Sequence, residues 1–283
     1  MLVMLPRHMN SLNSGKTLID SLMPDLSGFH GTVTVWHVVK VRPFTGSIGS
    51  WLSTIARKIE RSRSSVYFDV VSMTEAEAER RIANGELPDV ISFPSGFIQP
   101  YMLCPIDLTF DFDVSSGTVD NVLYAVPYAA SARFILYRCS GDDIESISSE
   151  KLEELTSSTE AFKSGKADAC IADARLTADM IKSIEAGKTE SFDVMPFEKA
   201  ATLVQFLGIT QRAKQEKLPL IENFIDLVTS SQNAASLSRL GILAINAVET
   251  INFDYDFLNE TYRMIREGEG IGVNAFQKAG AVN

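Results

Sequence analysis

The stretch VYFDVVSMTEAEAERRIANGELPDVISF, residues 66–93, decides the fold class. Its first six residues gather Val, Tyr and Phe around one Asp, the composition of a β-strand. Thr74 then offers an N-cap and Glu77 stands three residues on, the spacing of a capping box, so a helix starts there. Asn84-Gly85 is an ordinary helix stop, and after Leu87-Pro88 the run 89–93 is a short buried strand closed by Pro94 and Gly96. Working outward, Val33 and Val35 belong to a β-branched strand ending at Trp36-His37. Trp51, Leu52, Ile55 and Ile59 recur at helical spacing over 49–61. Strand, helix, strand, helix, strand is the pattern of a parallel sheet with helices packed on it. Such sheets take ligands beyond the carboxyl ends of their strands, here at Trp36-His37 and Phe93-Pro94-Ser95.

The chain continues in a different manner. Residues 124–128 and 132–138 are a pair of extended runs, followed by a loop with Asp142-Asp143 and a polar helix over 149–163. Gly165-Lys166 is a turn, 167–172 a buried strand, 177–184 a helix and 192–195 another strand, which makes a second, smaller α/β unit. An apolar run over 200–209 leads to a helix over 218–228 with Leu220, Ile221, Phe224, Ile225 and Val228 on one face. Helical character resumes over 232–240 up to Gly241 and again over 254–266. Residues 1–31 carry little periodicity and read as a leader or tether. The first unit is thus interrupted by the second and resumed. Two crossing segments make a hinge, and the cleft beside a hinge is a ligand site.

The 283 residues, 45% hydrophobic and 22% charged, are those of a folded globular chain. A net charge of −10 excludes a nucleic-acid binder, which needs clustered Lys and Arg. The one basic cluster, Arg57 to Arg63, is diluted by Glu60 and fits a solvated helix face. Cys104, Cys139 and Cys170 lack zinc-ligand spacing and sit among apolar neighbours as buried thiols. No run reaches the ~18 apolar residues of a membrane span. The opening Met1-Leu2-Val3-Met4-Leu5 is too short for a signal-peptide core, unless it is the tail of a segment cut off upstream.

Six segments resemble, in order, the extracellular solute-binding proteins of ABC importers. Residues 32–37, TVTVWH, are similar to that family's first strand, and 85–93, GELPDVISF, to its "G-x-x-PDVI" segment. Val126-Pro127-Tyr128 with 134–137, FILY, resembles the passage between lobes, and 162–169, FKSGKADA, the "F-x-x-GKAA" turn. Residues 203–209, LVQFLGI, with the helix up to Ser230-Ser231-Gln232, resemble the return segment, and 240–243, LGIL, the turn after it. The resemblance implies an α/β, two-lobed type II periplasmic-binding-protein fold with a hinge and a shortened second lobe. Lobe 1 would be 32–127 with 210–283, and lobe 2 would be 128–209. It further implies a non-enzymatic protein that captures a small solute, carbohydrate favoured, and delivers it to ABC permease subunits. A monomer at the cell surface or in the periplasm is expected, although the family's export signal and anchoring Cys are absent from the sequence. The alternative is a ligand-sensing domain of a signalling or regulatory system on the same fold.

Eight residues are candidates for ligand binding. Trp36 offers a ring face for stacking and His37 a hydrogen bond, against the plain alternative that Trp36 is core. Arg42 lies in a loop of small polar residues before a helix, where backbone N–H groups and a guanidinium can meet an anion or a hydroxyl. Phe93 and Ser95 follow the third strand, and Tyr128, beside Ser131 and Arg133, stands at the crossing. Asp173 and Arg175 end the second-lobe strand, and related proteins often carry an Arg at that turn; a local salt bridge between the two is the plain alternative. No catalytic constellation, cofactor motif or metal-ligand spacing is present: the three histidines, His8, His30 and His37, are dispersed. Asp111 and Asp113 are close enough for acid–base work but fit a solvated loop better.

Overall fold

Strand β1 (Gly31–Val38) has a strand paired on each side, and its residues from Val35 to Val38 are all buried. The computed structural model describes residues 29–138, 159–188, 190–197, 203–246, 255–267 and 273–277. The parallel unit expected over 32–93 is present. Helix α1 (Ile48–Ser62), strand β2 (Val66–Met73), helix α2 (Glu75–Ala83) and strand β3 (Val90–Pro94) follow β1 in order. β1 pairs in parallel with both β2 and β3, with His37 level with Ser72 on one side and Ser92 on the other. Thr74 caps α2 as its sequence requires, accepting a hydrogen bond from the Glu77 amide.

Helix α1 forms because Ser47 closes its first turn, its side chain accepting from the Ser50 amide at 3.1 Å, and because Trp51, Leu52, Ile55 and Ile59 give it one apolar face. Replacing Ser47 by Ala should lower the melting free energy by about 1 kcal/mol, the usual cost of losing an N-cap. A thermal melt of the variant measures it; an unchanged melting temperature would mean that water caps the helix equally well.

The remaining strands are antiparallel. Strand β4 (Leu103–Cys104) is followed by a two-stranded ribbon, β5 (Thr118–Val119) and β6 (Val122–Leu123), turned by Asp120 and Asn121 at positive φ. Then come β7 (Ala125–Ser131) and β8 (Arg133–Tyr137), separated by Ala132 alone. Helix α3 (Thr159–Lys163), strand β9 (Ala169–Asp173), helix α4 (Ala174–Glu185) and strand β10 (Asp193–Pro196) form the smaller unit. The chain returns through β11 (Leu203–Thr210), helices α5 (Leu218–Thr229) and α6 (Ser231–Ser238), strand β12 (Leu243–Ala244) and helix α7 (Asp256–Glu267).

These strands build a seven-stranded sheet in the order β12-β7-β11-β3-β1-β2, with β4 beside β11, and a three-stranded antiparallel sheet, β10-β8-β9. The large sheet is therefore mixed: β11 runs against β3, β7 and β4. Tyr128 to Ser131 and Leu203 to Ile209, placed within 128–209 by the sequence, run in strands of the large sheet. Helix α4 begins three residues before the expected 177, because Asp173 caps it by accepting from the Leu176 amide at 2.8 Å. The expected helix over 149–163 is described only from 159 onward, and Cys139, Asp142, Asp143 and residues 1–28 lie outside the described residues.

One face of the large sheet shares a core with α1, α5 and α6, through Val33, Val35, Leu207, Ile209, Leu52, Ile55, Leu220 and Phe224. The other face carries Trp36, Ile91, Phe93 and Phe206, and its core continues into the small sheet through Phe134, Leu136 and Ala172, then into α7 through Leu258 and Tyr262. Among the described residues no helix is long and apolar enough to cross a membrane.

Candidate functional site

The carboxyl ends of β1 and β2 meet the start of α1. Gly49, in the first turn of α1, packs so closely that a β-carbon there would fall 2.0 Å from the Ser72 hydroxyl and 3.6 Å from the His37 ring. Alternation along β1 places His37 on the α1 side of the sheet, and the same parity brings Ser92 of β3, Tyr128 of β7 and Gln205 of β11 beside it.

Ser92 is the hub of these four. Its Oγ lies 2.9 Å from His37 Nδ1, 2.8 Å from the Tyr128 hydroxyl and 3.0 Å from Gln205 Nε2, and Gln205 Nε2 also donates to the Val38 carbonyl at 2.8 Å. A serine hydroxyl has one proton and two lone pairs. The Gln205 N–H takes one lone pair. If Ser92 accepts from the Tyr128 O–H and donates to His37 Nδ1, no proton of the group is stranded, and His37 then carries its own proton on Nε2. His37 is 2% exposed, and burial pushes its pKa down from 6.5 to about 4, so the ring is neutral at pH 7. Burial likewise pushes the Tyr128 phenol up, against the weaker opposing effect of the Ser92 hydrogen bond. The Tyr128 ring stacks on Trp51, centroids 6.1 Å apart and 3° from parallel, and Trp51 Nε1 donates to Ser236 Oγ at 2.8 Å.

The other sequence candidates sit as follows. Trp36 points to the opposite face, 6% exposed, with the Arg81 guanidinium 5.5 Å from its ring centroid. Arg81 is itself held by Glu77. Phe93 is fully buried against Phe206, centroids 5.9 Å apart. Ser95 Oγ donates to the Asn274 carbonyl at 3.0 Å. Asp173 is occupied as the cap of α4, so it makes no salt bridge to Arg175; Arg175 is exposed and lies 4.0 Å from Asp179. Arg42 is exposed on the loop between β1 and α1. That loop is pinned by Phe44, whose amide donates to the Leu240 carbonyl and whose ring lies where a β-carbon on Gly241 would fall, at φ +85°. Arg133 packs its guanidinium 4.7 Å from the Phe197 ring centroid, directly after the crossing at Ala132.

Strand-end reasoning therefore brings His37 and Tyr128 together and leaves Ser92 and Gln205 unnamed. Their only signal is that each is a polar residue flanked by apolar ones inside a largely apolar strand, VISFP and LVQFLGIT. Asp113 serves its own loop, accepting from the Ser115 amide at 2.8 Å. Asp111 lines a separate depression of about 420 Å³ with Thr109, Phe110, Phe112 and Asp226, which contains none of the eight candidates.

The architecture is the two-lobed periplasmic-binding-protein fold. A maltodextrin-binding protein of L. casei BL23 superposes with a TM-score of 0.60 at 13% identity, covering 88% of this chain and 89% of that one. The maltose-binding periplasmic protein of Listeria monocytogenes, in complex with maltose, gives 0.55 at 14% identity, with 87% of each chain covered. A chitin oligosaccharide binding protein gives 0.60 at 12% identity, covering 88% and 89%. No protein-family model matches the sequence, and no curated protein sequence does.

Proposed function

We propose that the chain is a solute-binding protein that captures a small ligand, carbohydrate favoured, between two lobes and releases it unchanged to an ABC-type permease. The lobes are the large sheet with its helices and the unit built on β8, β9 and β10. The observation that carries the reading is the uncharged network of His37, Ser92, Tyr128 and Gln205 at the carboxyl ends of β1 and β3, inside a fold shared with proteins that bind maltodextrin, maltose and chitin oligosaccharide. Ligands of such sheets lie at these strand ends. Ser95, Arg42 and Arg175 would line the cleft above the network, and the single-residue crossing at Ala132 would serve as one strand of the hinge. Capture outside the cytoplasm belongs to this reading.

Thermal-shift titration tests it. At a saccharide concentration a hundred times Kd the folded state should gain about 2.7 kcal/mol, seen as a raised melting temperature. Neutral mono- to oligosaccharides form the main panel, with amino acids, polyamines and oxyanions beside them. If no saccharide moves the melting point, the carbohydrate reading fails.

A further inference from the structure

The end of β3, where a sheet of this kind presents its ligand site, is filled by the chain itself. β3 makes its last pairing with β11 at Pro94, and the chain then turns at Gly96, whose φ of +72° favours glycine. Ser95 Oγ donates to the Asn274 carbonyl at 3.0 Å, and the Gly96 amide donates to the Ala275 carbonyl at 2.8 Å. The Ala275 amide donates in turn to the carbonyl of Ser116, just before β5, at 2.8 Å. Ala275 is 0% exposed. Val273 and Phe276 pack on the core that runs from the large sheet into the small one, the Phe276 ring 6.5 Å from that of Tyr124 and nearly perpendicular to it. Asn274 holds the segment in a turn, its side chain accepting from the Phe276 amide at 2.9 Å.

The fastening is light. Among the described residues it consists of these three hydrogen bonds and one enclosed methyl group, with Val273, Asn274 and Phe276 half-buried and Gln277 exposed. Segments with so few enclosed contacts open locally at little cost. Each of the three bonds is one that a hydroxyl can make, its oxygen accepting from Ser95 or Gly96 and its proton going to the Ser116 carbonyl. The fit is also incomplete, since Ser116 Oγ is buried without a hydrogen-bond partner among the described residues. Resting on the solute-binding reading above, we propose that residues 273–277 are an autoinhibitory strap, which fills the ligand position at the end of β3 and leaves it when a solute binds there. The strap follows α7 in the chain, and α7 packs on the small sheet through Phe257, whose ring lies 5.0 Å from that of Phe134. Seated, the strap ties that helix to the large lobe, so a solute that displaces it also frees one connection between the lobes.

The test uses the full chain and its Ala275→Pro and Ala275→Glu variants, each titrated calorimetrically with the neutral mono- to oligosaccharides of the thermal-shift panel. Proline removes the amide that bonds Ser116, and glutamate carries a charge that does not stay enclosed. A site that is open only while the strap is away binds with an affinity reduced by the open fraction. With the strap seated about 90% of the time, the variants should bind roughly tenfold more tightly than the unmodified protein. Hydrogen exchange in the unmodified protein supplies a second measurement: the Ala275 amide, protected without ligand, should lose its protection at saturating saccharide. Affinity unchanged or lowered in the variants overturns the strap and leaves the solute-binding reading intact. An Ala275 amide that stays protected at saturation overturns it as well, because the segment is then a fixed wall. Should the variants fail to fold, the exchange measurement decides alone. Saccharide binding by the variants and not by the unmodified protein supports the strap in its strongest form. Absence of binding in all three proteins removes both the reading and the proposal.

Discussion

Lys217→Met is expected to destabilise the fold by about 3–5 kcal/mol, the cost of leaving one member of a buried ion pair alone. Lys217 ends the turn before α5, and its Nζ donates to both Asp89 carboxylate oxygens, at 3.0 and 2.8 Å, and to the Thr32 carbonyl at 2.9 Å. The Asp89 side chain is 5% exposed and also accepts from the Thr34 amide and hydroxyl. Its backbone joins the same knot: the amide donates to Thr34 Oγ1, and the carbonyl accepts from Thr210. Through its carboxylate Asp89 thus fixes the starts of β1 and α5, and through its backbone the start of β3 against the end of β11. With the ammonium gone, two neutral donors face a charge held away from water. For a chain of this length the loss corresponds to roughly 10 °C in melting temperature. Lys40→Met is the control: the Lys40–Glu75 pair is 47% and 39% exposed, so its removal should cost about 0–1 kcal/mol. Equal melting temperatures for the two variants would show that water screens the Asp89 pair as fully as the surface one.

The parallel unit is legible in the sequence because each boundary has a local chemical cause: Thr74 with Glu77, Asn84-Gly85, and Pro94. The mixed character of the large sheet has no such cause. β7 and β11 are buried on both faces, so their sequences, AVPYAAS and LVQFLGIT, show no alternation that separates parallel from antiparallel neighbours. The site is legible where a polar or amphipathic residue ends a strand, as with His37 and Tyr128. Trp36 and His37 look equivalent in the chain, yet period two sends them to opposite faces, and Arg81 from α2 covers the Trp36 ring. Asp173 is drawn into capping α4, a demand created by the helix starting earlier than its apolar pattern shows. Ser92 and Gln205 were unreadable because their meaning lies in each other. They are 113 residues apart in the chain and meet only through the sheet order β11-β3-β1.

His37 should make stability fall by about 3 kcal/mol as the pH drops from 6.5 to 4. In the unfolded chain its pKa is the ordinary 6.5, and in the folded protein burial holds it at about 4. Between those values the unfolded state binds a proton that the folded state refuses, so acid favours unfolding, by about 1.4 kcal/mol per pH unit. Above pH 6.5 both states are neutral at this ring and its contribution is flat and fully present. The carboxylates of the chain also titrate below pH 5, so the measurement must isolate the ring. The difference in unfolding free energy between the unmodified protein and His37→Asn, whose side-chain oxygen can still accept from Ser92, cancels the shared groups. That difference should shrink by about 3 kcal/mol from pH 6.5 to 4 and stay level from 6.5 to 8. A level difference throughout would mean that water reaches the imidazole in solution. The Ser92 hydroxyl would then have no fixed acceptor at Nδ1, and the hydrogen-bond order from Tyr128 through Ser92 to His37 would lose its anchor.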